Sequence, residues 1–203
     1  MRRFIVVAGN IGSGKTSLVD FVSRHYPVKP FFEPNETNPY LKDFYDDMKR
    51  WSFHSQVYFL SHKYRLHREL ERYEGSVIQD RSIYEDAEIF ARNLHRSRKM
   101  SKRDFATYWE LYETIRADLQ PPDVLFYLRC SVPALKKRIR LRGRSMEQQI
   151  PTRYLRRLND LYDEWIARYD LSAVVEIPTD SMDYVTDILD RHHLLETLKR
   201  ILS

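Results

Sequence analysis

The residues Gly9-Asn10-Ile11-Gly12-Ser13-Gly14-Lys15-Thr16 form a complete phosphate-binding loop: two glycines five positions apart, followed by a lysine and a hydroxyl residue. In such a loop, backbone N–H groups and the N-terminus of the following helix cradle phosphate oxygens. Lys15 is placed to reach the β- and γ-phosphates, and the Thr16 hydroxyl to sit on a Mg²⁺ ion. The spacing therefore predicts nucleotide binding. Two further groups suit phosphoryl transfer, which needs positioning, charge neutralisation and a group near the attacking hydroxyl. Glu33, held by Pro34, offers a carboxylate that can accept a proton. Asp80-Arg81 offers a carboxylate for Mg²⁺, direct or through water, beside a guanidinium for the moving phosphoryl group.

These groups act together only if the fold gathers them. Apolar runs recur at 4–8, 28–32, 77–79, 124–128 and 174–177. Helix-period segments separate them, at about 14–25, 39–73 with a break near 47–50, 83–119, 132–170 and 183–201. Strands alternating with helices predict an α/β fold: a doubly wound, five-stranded parallel sheet covered on both faces. Ligands of such sheets gather at the carboxyl ends of the strands. The residues there are Glu33, Asp80-Arg81 and the turn Pro178-Thr179-Asp180.

The chain of 203 residues suffices for one such domain, 1–203, and no linker or internal repeat divides it. The single cysteine, Cys130, excludes an internal disulfide and fits a reducing compartment. The apolar run after Met1 is too short for a signal peptide and no segment has the length of a membrane span, so a cytoplasmic protein without a membrane partner is expected. The net charge of +5 suits an anionic ligand as well as nucleic acid. Six basic residues crowd into 136–144, where Arg138 and Arg142 share a helix face and Gly143 permits a turn. On the helix from Trp51, the residues Phe53, Gln56, Leu60 and Lys63 or Tyr64 make one stripe. Gln56 thus puts an amide where its neighbours put apolar groups, and an amide there wants both a donor and an acceptor. Adenine N6/N1 or cytosine N4/N3 would supply both.

The order of Glu33-Pro34, Asn38-Pro39-Tyr40-Leu41, Trp51 to Gln56, Asp80-Arg81-Ser82-Ile83-Tyr84-Glu85-Asp86 and Arg142-Gly143-Arg144 behind the phosphate loop resembles the deoxynucleoside kinases, and most of all their bacterial deoxyadenosine/deoxycytidine branch. The resemblance runs from residue 3 to about 170. It implies a sheet of the P-loop kinase type with an Arg-rich lid, and transfer of the ATP γ-phosphate to the 5′-hydroxyl of a deoxynucleoside with Mg²⁺ as cofactor. By resemblance Glu33 is the base, with Arg81 beside it, and Arg138, Arg142 and Arg144 close over the phosphates from a lid at about 142–152. Gln56 and Asp86 read the base, Phe90 stacks on it, and Tyr45 with Glu147 holds the sugar 3′-hydroxyl. Lys63 stands where some members place a base-contacting arginine, a contact lysine cannot make in bidentate form. The segment 176–184 corresponds to the turn over the ATP adenine. The resemblance also implies a homodimer through the helices around 51–73 and 101–119.

Other readings have discriminating features. Thymidylate kinases share the Glu-Pro, but an arginine precedes it and Gly-Gly follows, to hold the acceptor's own phosphate. Here Phe32 precedes and Asn35-Glu36 follow, which favours an uncharged acceptor. A regulatory GTP-binding switch would carry Asn/Thr-Lys-x-Asp and Asp-x-x-Gly, and neither occurs. A non-catalytic P-loop nucleotide-binding protein would need none of these strand-end groups. Nucleic acid as partner is disfavoured by Glu33, Asp80 and Asp86 around the predicted site. The expected acceptor is deoxyadenosine, then deoxycytidine or deoxyguanosine.

Overall fold

Five strands form one fully parallel sheet in the order β2-β3-β1-β4-β5, in a computed structural model that describes residues 2–32, 38–180, 182 and 187–202. The strands are β1 (Phe4–Gly9), β2 (Val28–Phe31), β3 (Ser76–Asp80), β4 (Val124–Arg129) and β5 (Ala173–Pro178). β1 is buried along its whole length, as a central parallel strand covered on both faces must be. Alternation sends Phe4, Val6 and Ala8 into one core, with Leu60, Leu70, Leu158 and Trp165. Ile5 and Val7 enter the other, with Leu18, Val19, Val22 and Leu198. The register sets Val7 level with Asp80, and Phe31 level with Gln79, so three strands release their chains at one end of the sheet. The doubly wound expectation holds.

Among the described residues the helices are α1 (Lys15–His25), α2 (Leu41–Asp46), α3 (Met48–Arg72), α4 (Ile83–Glu85), α5 (Arg92–Arg96), α6 (Lys102–Ala117), α7 (Val132–Arg142), α8 (Ser145–Gln148), α9 (Thr152–Ala167) and α10 (Ile188–Leu202). The break expected near 47–50 falls at Asp47, whose side chain caps α3 by accepting from the Lys49 and Arg50 N–H groups. Two segments expected to run as long helices are interrupted. Between 83 and 119 the helix stops at Ser97. Arg98 adopts φ +58°, and Ser101 starts α6 by accepting the Asp104 N–H. Between 132 and 170 the chain leaves α7 at Gly143, with φ +71°, where no heavy atom would lie within 4 Å of an added Cβ. The requirement at Gly143 is thus for the left-handed turn itself and not for space.

Candidate active site

The phosphate loop bridges the end of β1 and the start of α1. Gly12 has φ +83°, and a Cβ there would stand 2.9 Å from Ile139 Cγ1 on α7, so the loop backbone touches the helix that leads to the arginine cluster. Lys15 is buried, and its Nζ donates to the Gly9 carbonyl at 2.9 Å and to the Asn10 carbonyl at 3.1 Å. The Thr16 hydroxyl donates to Asp80 Oδ2 at 2.6 Å. Asp80 Oδ1 is buried with no hydrogen-bond partner among the described residues. An unsatisfied carboxylate oxygen beside the loop's threonine fits Mg²⁺, which is commonly held by one or two carboxylates plus substrate phosphates.

Arg81 follows Asp80 in a left-handed conformation, φ +58°, uncommon for a residue with a side chain. Four contacts hold it there. Its N–H donates to the Val7 carbonyl at 3.1 Å, and its carbonyl accepts Lys63 Nζ at 2.7 Å. The guanidinium carbon lies 4.4 Å from the centre of the Phe90 ring, and Nε lies 3.9 Å from Glu85 Oε1. Lys63, noted in the sequence as a replacement for a base-contacting arginine, is therefore directed to the turn behind the site.

After the turn, Ser82 and Glu85 make a reciprocal capping box that starts α4. The expected helix then widens. Asp86–Ala91 is a π-helical turn in which the Arg92 N–H reaches back to the Ala87 carbonyl. Such one-turn departures are frequent at functional sites. Asp86 and Phe90 sit inside it and face one cavity.

That cavity has a volume of about 290 Å³ and runs from Gly12, Lys15 and Thr16 past Asp80 and Arg81 to Gln56, Asp86 and Phe90. Gln56 is 5% exposed, and its side-chain carbonyl has no hydrogen-bond partner among the described residues. Tyr45, Arg142, Arg144 and Glu147 line the cavity as well. Glu147 accepts from both arginines, from Arg142 Nε at 3.1 Å and from Arg144 Nη1 at 3.4 Å. Arg138 lies elsewhere, outside the cavity lining. Its guanidinium donates to the Ser13 carbonyl at 3.2 Å, the Thr179 hydroxyl at 3.2 Å and the Thr179 carbonyl. These acceptors between the loop and the end of β5 draw it beneath the phosphate loop. Among the remaining predicted loop residues, Asn10 is buried and its amide donates to the Leu155 carbonyl at 2.9 Å, while Ser13 N–H donates to the Asn10 carbonyl at 3.1 Å. Ile11 lines the cavity beside Gly12.

Glu33 lies outside the described residues, as do Pro34 to Thr37 and, within the expected adenine segment, Ser181, Asp183 and Tyr184. The structure adds residues that sequence reasoning missed. Phe44, Phe59 and Tyr154 line the cavity. Phe59 was legible in principle, three positions after Gln56 on α3. Tyr154 carries no local signal, because it enters from the N-terminal end of α9.

A family model described as deoxynucleoside kinase matches residues 5–203. The deoxyadenosine/deoxycytidine kinase of Bacillus subtilis (strain 168) is 37% identical over 185 residues, covering 90% of this chain and 85% of that protein. A deoxyguanosine kinase of Lactobacillus acidophilus is 35% identical over 96% of this chain and 88% of its own. Among solved structures, deoxyadenosine kinase from M. mycoides with bound dATP superposes with a TM-score of 0.85 at 26% identity, covering 98% of this chain and 100% of that one. The likeness runs over nearly the whole chain, and the chain belongs to the deoxynucleoside kinase family of transferases.

Proposed function

We propose that this kinase transfers the γ-phosphate of ATP to the 5′-hydroxyl of deoxyadenosine, with deoxycytidine and then deoxyguanosine as lesser acceptors. One observation carries the choice of base. The cavity wall presents the unsatisfied Gln56 carbonyl and the Asp86 carboxylate together. Two acceptors call for an exocyclic amino group with two N–H donors, as on adenine and cytosine. Guanine and thymine put a carbonyl oxygen at the equivalent place, and acceptor facing acceptor leaves buried polar groups unpaired. The names of the relatives include deoxyadenosine, deoxycytidine and deoxyguanosine, so the choice among these bases rests on the cavity wall.

In this reading Glu33 takes the proton of the 5′-hydroxyl as its oxygen attacks the γ-phosphorus. Arg81 lies beside the transferring group, and Lys15 holds the β/γ-phosphates. Arg142 and Arg144 move from Glu147 onto the phosphates, which frees Glu147, with Tyr45, for the sugar 3′-hydroxyl. Thr16 and Asp80 would hold Mg²⁺, which would neutralise phosphate charge. Residues 142–152 form the lid of a single domain. The test is a phosphorylation screen of the four natural deoxynucleosides with Mg-ATP, run on the wild type and on Gln56→Ala. Deoxyadenosine should lead, and the variant should lose ~10-fold or more of its preference for amino-bearing bases. A wild type that favours thymidine would refute the reading, and a Gln56→Ala protein that merely unfolds would make the amide a core group.

The partner proposed is a second copy of this chain, joined through α3 and α6. The support is a shallow recess between those helices, where Val57, Tyr64, Leu111 and Ile115 lie among Ser61, Thr114 and Asp118. Leu111 is 41% exposed beside it. Sedimentation at micromolar concentration should give a dimer for the wild type and a monomer for Leu111→Glu, since a charge buried in an apolar interface is costly. No helix among the described residues is long and apolar enough to cross a membrane. The single cysteine accords with work in the cytoplasm.

A further inference from the structure

Behind the phosphate loop, groups from three elements meet out of contact with the cavity. Glu85 is fully buried, and its carboxylate accepts the Gly9 N–H at 3.2 Å and the Ser82 N–H at 3.1 Å. Tyr162, equally buried, reaches in from α9, the helix after the lid. Its hydroxyl lies 2.8 Å from Glu85 Oε1 and also 2.8 Å from the Gly9 carbonyl. A phenol has one proton and can serve only one of these acceptors at a time. The Gly9 carbonyl already receives Lys15 Nζ at 2.9 Å and a carboxylate is the stronger acceptor, so with Lys15 in place the Tyr162 proton goes to Glu85.

This balance must change if Lys15 turns to a triphosphate, a step that rests on the kinase reading above. The Gly9 carbonyl then loses its lysine, and a buried carbonyl without a donor is costly. We propose that Tyr162 is a positioning residue for the phosphate loop: as Lys15 leaves, the Tyr162 O–H swings from Glu85 to the Gly9 carbonyl and takes the place of the lysine. Only the hydroxyl rotor moves. The helix that carries it is fixed to the loop, because Asn10 Nδ2 donates to the Leu155 carbonyl at 2.9 Å and to Asn159 Oδ1 at 2.6 Å, and Asn159 Nδ2 donates to the Cys130 carbonyl at 2.9 Å. Burial raises the Tyr162 hydroxyl well above the usual tyrosine range, with Glu85 adding to the shift, so the phenol keeps its proton and remains a donor in both positions. Glu85, released by the phenol, still holds Gly9 N–H and faces Arg81 Nε 3.9 Å away. Occupancy of the loop is thereby felt at Arg81.

Tyr162→Phe removes one oxygen and keeps the ring, which stacks on Tyr127 with centroids 5.7 Å apart. Titration calorimetry with the non-hydrolysable imido analogue of ATP should find binding about tenfold weaker than in the wild type. Deoxyadenosine binding, measured the same way, should stay within about twofold. In steady state the KM for ATP should rise while the KM for the nucleoside holds. Unchanged affinity for the analogue would overturn the inference. So would equal losses for both ligands with a lowered melting temperature, which would reduce Tyr162 to packing. A wild-type protein that fails to bind the analogue would overturn the kinase reading as well, and is thus distinct from a failure confined to the variant.

Discussion

Glu33→Gln should lower kcat by roughly a thousandfold while leaving ATP affinity within about twofold. Glutamine keeps the length and the hydrogen-bonding oxygen of the side chain but cannot take a proton. Because a positioned general base contributes about 10²- to 10⁴-fold, the loss falls on the chemical step alone. The frame of the site supports this assignment. Phe31 stands level with Gln79, so the chain leaves β2 at the same end of the sheet where Asp80 and Arg81 leave β3. The cavity between the phosphate loop and Gln56 opens at that end. Steady-state kinetics at saturating deoxyadenosine and ATP measures the first quantity, and nucleotide titration the second. Near-normal turnover would remove Glu33 from the mechanism, and parallel losses in turnover and ATP binding would make it a structural residue.

What could be read in the sequence follows the range over which each signal acts. The phosphate loop, the apolar strands and the Gln56 stripe are local patterns, and in the structure the strands form one sheet while the loop and Gln56 line one cavity. The break before α3 was legible because Asp47 is a good capping residue in the right place. The interruption at Ser97 to Ser101 had a signal too, in the Ser101 cap, but the apolar period on either side masked it. The π-helical turn at Asp86–Ala91 was not legible, since a one-residue shift in backbone pairing changes no residue type. Contacts between distant segments were equally hidden. Nothing at Lys63 announces that it will hold the Arg81 carbonyl, nor at Tyr162 that it will reach Gly9, 153 positions away. Arg138 shares a helix face with Arg142, yet acceptors on Ser13 and Thr179 decide where it points. Periodicity gives a face of a helix, whereas the destination of a long cationic side chain depends on which acceptors the fold brings within reach.

Arg81→Lys should reduce kcat by about 10³-fold, equivalent to ~4 kcal/mol of lost transition-state stabilisation, with a much smaller change in the KM for deoxyadenosine. The backbone should tolerate the change. Lysine bears the same φ +58° cost as arginine, and the Val7 and Lys63 contacts act on the main chain of residue 81. What is lost is the planar guanidinium. It lies over the Phe90 ring at 4.4 Å and near the Glu85 carboxylate, two contacts that fix its plane before substrate arrives. An ammonium group keeps the charge but neither stacks in a defined plane nor presents a fork of donors to a flattening phosphoryl group. Preorganised donors contribute most where charge develops during the reaction, so the penalty belongs in kcat. Single-turnover measurement of the transfer step with Mg-ATP and deoxyadenosine checks this directly. A lysine variant that retains more than a tenth of wild-type turnover would mean that charge alone suffices at this position, and that the strained turn, the Phe90 stack and the buried Glu85 serve stability and not transfer.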